Sequence, residues 1–443
     1  MTQEWLFKSA SDLGRGIASG EIDAVALVQT YLEAIDAHPL RDRVYARVTP
    51  DRALAEARAA ADRAIVGRRL GPLDGVPISW KDLFDTAGVA TEAGSALLAG
   101  RVPSRDAPVL RNATAAGLVC LGKTHMSELA FSGLGYNPVT ATPPSVNDAD
   151  AVAGGSSSGA AASVAQGLAA CGIGSDTGGS VRIPSVWNDL VGLKTTSGLL
   201  SLEGAVPLCA RFDTVGPLCR TVEDAANILA ALQGGAAPDL AGVSMRGKRL
   251  LVLETIAMEG VRAEPLAGFD SAVERLQAAG AVVERREVPL VSEAMGMASM
   301  LFTSEAYGTW KAEIEAAPDK MFPEILARFR IGADHAAADF VAGWQRLEQL
   351  RTEWLQAVAG YDAVILPTAP ILPPKIARLE SDSEYFVTEN LLTLRNTRIG
   401  NLMNVAALTL PTGVASTGIM FMAPPMQERR LLRLGMAAEA VLG

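Results

Sequence analysis

Gly154-Gly155-Ser156-Ser157-Ser158-Gly159 and Asp176-Thr177-Gly178-Gly179-Ser180 are two Gly-Gly-Ser elements in one short stretch of chain. Glycine lets backbone N–H groups converge with no Cβ in the way, which anion cradles and oxyanion holes both require. A phosphate-binding P-loop also needs a lysine at a fixed offset after its glycines, and none follows either run at that spacing. A nucleophile elbow needs glycine on both sides of the serine in GxSxG spacing, which neither Ser156 nor Ser180 has. Both runs abut Ala-rich or apolar segments rather than further polar tract, so composition leaves a linker and a functional loop both open.

Outward from this stretch the chain alternates between helical and strand patterns. Asp23 is a natural N-cap, and Leu27, Val28, Tyr31, Leu32 and Ile35 form an amphipathic helical stripe behind it. An Ala-rich helix is expected over 51–66. Gly75-Val76-Pro77-Ile78-Ser79-Trp80 reads as a short buried strand that delivers Lys81 at its end. A helix over 108–117 and a strand over 118–122 follow. Residues 132–155 lack periodicity and read as a long loop, a class usually functional or disordered. Small residues predict a helix over 158–170, and Thr221 starts another with a capping-box-like Thr-Val-Glu-Asp. Strands over 249–254 and 363–366, with helices over 269–279 and 335–357, carry the alternation onward. One large α/β domain over 1–443 is expected. Within it lie a helical segment (1–70), a core bearing the reactive residues (71–225) and a part completing sheet and pocket (226–443).

Composition narrows the chemistry. In 443 residues, 39 Lys and Arg stand against 49 Asp and Glu, a net charge of −10 that argues against nucleic acid as the main partner. The 3 histidines, His38, His125 and His335, are far apart and fit neither HExxH nor a Cys/His ligand spacing. No metal or other cofactor is expected, and a Ser-His-Asp hydrolase would have few parts to draw on. Cys120, Cys171, Cys209 and Cys219 form no framework, so they read as buried free thiols in a reducing cytoplasm. The first residues carry an early acid and no apolar core of a signal peptide. The long uncharged stretch from Ala151 to Ser175 is too rich in Gly and Ser for a membrane span.

The run from Gly154 through Arg182 to Pro184, with Lys81 in Gly75-Val76-Pro77-Ile78-Ser79-Trp80-Lys81-Asp82, resembles the amidase signature family. The resemblance extends to Gly122-Lys123-Thr124-His125-Met126-Ser127-Glu128-Leu129, Val191-Gly192-Leu193-Lys194, Asp213-Thr214-Val215-Gly216-Pro217, Tyr361-Asp362 to Pro367-Thr368, and Arg395-Asn396-Thr397 with Asn401-Leu402. It implies an α/β/α domain with a central mixed sheet covered by helices on both faces. It also implies a Ser-cisSer-Lys triad: Ser180 as nucleophile, Ser156 as the bridging serine after a cis Gly155–Ser156 peptide, and Lys81 as base. The N–H groups of Thr177, Gly178, Gly179 and Ser180 would form the oxyanion hole. A serine hydroxyl needs a base, and a lysine serves only when neutral, which burial can bring about.

Around the triad, Ser157 is expected to support by hydrogen bonding, and Asp176 with Arg182 to form a buried pair holding the loop. A structural role suits His125. Met295, Met297 and Met300 are expected in one Ala/Met-rich helix as core or pocket lining. The chain departs from the family pattern at Ala149, Ala151 and Ala153, at Trp187-Asn188-Asp189 and at Thr195. None of these touches the triad, but Trp187 and the loop bearing Phe131 and Ser132 are candidates to shape an acyl pocket. The leading expectation is a cytoplasmic amidase acting on a small-molecule amide, with no membrane partner and with a homodimer allowed but not required. The alternatives are the glutaminase component of a tRNA-dependent amidotransferase and a non-catalytic binding protein on the same scaffold.

Overall fold

The computed structural model describes residues 2–443. Eleven strands fall in chain order at β1 (Tyr45–Val48), β2 (Pro77–Lys81), β3 (Val119–Thr124), β4 (Cys171–Asp176), β5 (Val191–Lys194), β6 (Thr214–Cys219), β7 (Arg249–Leu253), β8 (Val282–Arg286), β9 (Ala363–Pro367), β10 (Ala406–Pro411) and β11 (Gly418–Ala423). They make one 11-stranded mixed sheet in the order β1-β3-β2-β4-β6-β5-β10-β11-β9-β7-β8. Every residue of β2, β3, β4, β5 and β6 is buried, as expected of strands covered by helices on both faces. The expected α/β class and single large sheet are what the chain adopts.

The register of the middle strands builds one reactive edge. β2 runs parallel to β3 with Lys81 opposite Thr124, and parallel to β4 with Trp80 opposite Ile173. The carboxyl ends of all three strands therefore lie along the same side of the sheet. In open α/β sheets such ends are where ligands bind. β6 returns antiparallel to β4 with Thr214 opposite Asp176, bringing Asp213 to that edge as well. Helix Ser158–Ala165 lies close on β4, and a Cβ at Gly174 would come within 2.6 Å of Ser157 Oγ. Small residues on both surfaces permit that approach.

Local expectations hold where a cap or an apolar stripe is strong. Asp23 accepts from Ala26 N at 2.8 Å at the head of helix Ala24–Ala37, whose Leu27, Val28, Tyr31 and Ile35 are buried. Thr221 likewise caps helix Val222–Gln233 through Asp224 N. Several boundaries differ. The N-terminal helical segment is interrupted by β1, which pairs with β3 at the sheet edge. The helix expected to reach residue 170 ends at Ala165, because Gly167 turns left-handed (φ 73°) and leads into β4. The Ala/Met-rich segment is two helices, Leu290–Gly296 and Ala298–Ala316, joined at Met297. The loop over 132–155 carries no named helix or strand, yet it is largely buried and pinned by bridges such as Ala151 to Lys375. All four cysteines are buried and free. No helix among the described residues is long and apolar enough to cross a membrane. Nor do three or more His, Cys, Asp or Glu cluster there as a metal site would require.

Candidate active site

Lys81 closes β2 with its side chain wholly inside the protein at 0% exposure. Its Nζ donates to Ser156 Oγ at 2.7 Å and to Ser175 Oγ at 2.9 Å. Burial lowers its pKa to about 7 from the usual 10.5, against a smaller opposing pull from the Asp176 and Asp213 carboxylates. A lysine in that state is neutral in a large fraction of molecules near neutral pH. Ser175 carried no expected role; as the penultimate residue of an unforeseen strand, it gave no local signal.

The peptide between Gly155 and Ser156 is cis. Ser156 O accepts from Ser127 N at 3.1 Å, and Gly155 N donates to Gly133 O at 2.7 Å, so the turn is fixed from both sides. Ser157 Oγ donates to Ser175 O at 3.3 Å. Ser180 follows β4 by four residues and opens on a cavity of about 590 Å³ also lined by Thr177 and Gly178. No hydrogen bond joins Ser156 Oγ to Ser180 Oγ among the described residues. In unliganded enzymes such contacts are commonly loose and tighten with substrate.

The loop carrying Ser180 is held by a buried ion pair. Arg182 donates from Nε to Asp176 Oδ2 at 2.9 Å and from Nη2 to Asp176 Oδ1 at 2.8 Å, both residues being 0% exposed. Burial alone would raise the Asp176 pKa, but the Arg182 guanidinium, with the Lys194 charge and the Asn401 hydrogen bond, holds the group below the usual carboxylate range. Asn401 donates to Asp176 and accepts from Arg182, and Thr397 Oγ1 donates to Gly178 O at 2.7 Å. These anchors come from helix Ser383–Leu402, far away in sequence. Gly179 sits at φ 142°, where a Cβ would run into Thr397 Oγ1.

Two sequence expectations need correction. Gly179 N already donates to Asp176 Oδ1 at 2.9 Å, so its N–H is engaged in the loop's scaffold rather than aimed at a ligand. The N–H groups of Thr177, Gly178 and Ser180 have no such partner among the described residues. Trp187 does not line the cavity; it is 0% exposed and its Nε1 donates to Ile371 O at 3.1 Å. Phe131 and Ser132 do line it, as does Met295, whereas Met297 and Met300 pack half-buried against the core. His125 is buried enough to bring its pKa down to about 4, the nearby Arg47 charge adding to that. It is a neutral scaffold residue.

A family model described as Amidase matches residues 26–432. The chain belongs to the amidase family. It is 34% identical to the 2-amino-5-chloromuconic acid deaminase of Comamonas testosteroni, over 96% of this chain and 94% of that protein. It is 30% identical to the A-type component of the glutamyl-tRNA(Gln) amidotransferase of Streptomyces coelicolor, over 98% of this chain and 95% of that one. Among solved structures, a crystal structure of an amidase superposes with TM-score 0.87 at 30% identity, covering 98% of this chain and all (100%) of its own. The peptide amidase from Stenotrophomonas maltophilia does so with TM-score 0.83 at 28% identity, covering 98% and 97%. This amidase-family chain is thus an enzyme, with the family's α/β architecture along its whole length.

Proposed function

We propose that this amidase-family enzyme hydrolyses a small carboxylic acid amide through an acyl-enzyme on Ser180. The observation that carries the reading is the 2.7 Å contact between Lys81 Nζ and Ser156 Oγ, made by a lysine buried enough to be neutral in a large fraction of molecules near pH 7. Neutral Lys81 accepts the Ser156 proton while Ser156 accepts that of Ser180, whose Oγ attacks the amide carbonyl. The developing oxyanion is met by the N–H groups of Thr177, Gly178 and Ser180, with Gly179 left to scaffold the loop. The proton returns through Ser156 to the departing nitrogen, and water then cleaves the acyl-enzyme. Asp176 and Arg182 position Ser180 and Ser157 steadies the end of β4; none of the three exchanges a proton with substrate.

The test is a panel of amides, esters and ureas assayed with the purified chain, together with fluorophosphonate labelling. Labelling of Ser180 that is lost in Ser180→Ala, and amide turnover lost in the same variant, is the expected result. An unlabelled Ser180 beside normal turnover would sink the assignment, and absence of both labelling and turnover would favour a binding protein. The match to the A-type components of amidotransferases over nearly the whole chain supports a second reading, as the glutaminase component of such a complex. Glutaminase activity that appears only after partner chains are added would favour it over the stand-alone enzyme.

A further inference from the structure

Two guanidinium groups line the cavity onto which Ser180 opens, Arg328 from helix Pro323–Arg330 and Arg398 from helix Ser383–Leu402. Neither makes an ion pair or a hydrogen bond among the described residues, and Arg328 Nη1 is shut away from solvent with no partner at all. Each is instead placed over an aromatic ring of the cavity wall, Arg328 at 4.4 Å from Phe131 and Arg398 at 5.9 Å from Phe302. Elsewhere in the core this protein pairs its buried arginine, as Arg182 does with Asp176. Glu324, the one carboxylate on the cavity wall, accepts from Ser383 Oγ through Oε1, makes no ion pair with either arginine, and leaves Oε2 without a partner among the described residues.

Both arginines are half-buried, and cations partly withdrawn from water without an anion are costly. Burial, followed by the neighbouring Arg398 charge, lowers the Arg328 pKa to about 9, and burial lowers that of Arg398 to about 10. Both groups would regain what they lack from a ligand anion. Much of the remaining wall is apolar, with Leu208, Phe302, Phe386 and Leu394 lining the same space. A planar carboxylate matches the guanidinium fork, and an apolar chain matches the wall.

We infer that the substrate is an amide whose non-reacting end carries a carboxylate, held by Arg328 and Arg398 beyond an apolar spacer. This deepens the proposed hydrolysis and rests on it for the words "substrate" and "non-reacting end". The arginine pair as a carboxylate site can be tested without turnover.

The test measures binding by calorimetry to Ser180→Ala, in which no acyl-enzyme can form, using malonamate, succinamate, glutaramate and adipamate beside their neutral diamides. At least one monoamide should bind roughly 30-fold or more tightly than its diamide, the scale of a buried charge pair. Arg328→Met and Arg398→Met in the same background should each remove most of that preference, with melting curves reporting that the fold is kept. A neutral diamide bound as well as its monoamide throughout the series overturns the inference, as does a preference that survives both replacements. Hydrolysis by the wild-type chain is followed in parallel. A carboxylate preference in binding with no hydrolysis of any amide upholds the arginine site and removes the hydrolytic reading alone.

Discussion

Lys81 closes β2 and Lys194 closes β5, and both side chains lie inside the protein, at 0% and 1% exposure. Burial lowers each to a pKa of about 7, with the Arg182 charge adding to the effect at Lys194. Their partners differ. Lys194 donates to the carbonyl oxygens of Thr195 at 2.9 Å and Val405 at 2.8 Å, which accept hydrogen bonds but hold no proton to give back. Lys81 meets two serine hydroxyls, which both accept and donate. A depressed lysine pKa is therefore a poor guide taken alone. What separates a base from a structural cation here is whether the neighbour can pass a proton onward.

The largest effect should come from replacing the two lysines in turn. Lys81→Met should lower kcat/KM for amides about a thousandfold or more, as removal of one member of a cooperating set does. Lys194→Met should cost about 1–3 kcal/mol of stability through two carbonyls left unsatisfied, with kcat per folded molecule changing little. Comparable kcat losses in both variants, measured on active sites counted by labelling, would erase the distinction.

Asp176 and Asp213 sharpen the comparison, because Asp176 acts on both lysines whereas Asp213 acts on Lys81 and not on Lys194. Activity should rise with pH through a midpoint near 7 as Lys81 loses its proton. Asp176→Asn should cost about 3–5 kcal/mol of stability by leaving Arg182 unpaired in the core. Asp213→Asn should lower the midpoint of the rate profile by a smaller step, since a neutral group no longer favours the charged lysine. A midpoint that moved upward in Asp213→Asn would show that Lys81 is not the titrating group.

Stability should carry the same signature with the opposite informational content. Above about pH 7 both lysines are neutral in the fold, while the unfolded chain keeps them protonated up to their ordinary 10.5. The unfolded state then binds more protons, so stability rises with pH from about 7 toward 10.5, and the penalty of burying two charges is full below about 7. Denaturant midpoints across that window should rise less steeply in Lys81→Met and in Lys194→Met, each by a similar amount. Linkage counts protons wherever they sit; only the rate profile tells the two lysines apart.

How much of this was legible before the fold was known follows the range of each interaction. Lys81, Ser156 and Ser180 belong to compact motifs, and caps such as Asp23 and Thr221 act within one helical turn. β4 was not legible, because Cys171-Gly172-Ile173-Gly174-Ser175-Asp176 is buried on both faces and shows neither alternation nor a helical stripe. Ser175 was missed with it. The contacts of Arg182 with Asn401, and the gathering of Arg328 and Arg398 about Ser180, span separations that no local pattern encodes. Trp187 was misplaced for a related reason: its distance along the chain from Ser180 is short, but its helix turns the ring into the core.

The smallest effect comes from two serines one residue apart. Ser156 and Ser157 are alike in type and both 0% exposed, but Ser156 Oγ accepts from Lys81, whereas Ser157 Oγ reaches only Ser175 O at a long 3.3 Å. A weak neutral hydrogen bond contributes about 0.5–1 kcal/mol, so Ser157→Ala should change kcat/KM by less than about fivefold and leave the pH midpoint in place. The rate should register the change only indirectly, because Ser175 keeps its own hydroxyl on Lys81 at 2.9 Å. A tenfold loss in Ser157→Ala would break the assignment of the relay to Ser156 alone. It would mean that the end of β4 positions Lys81 more tightly than one long hydrogen bond suggests, and the line between base and scaffold would then run through Ser175.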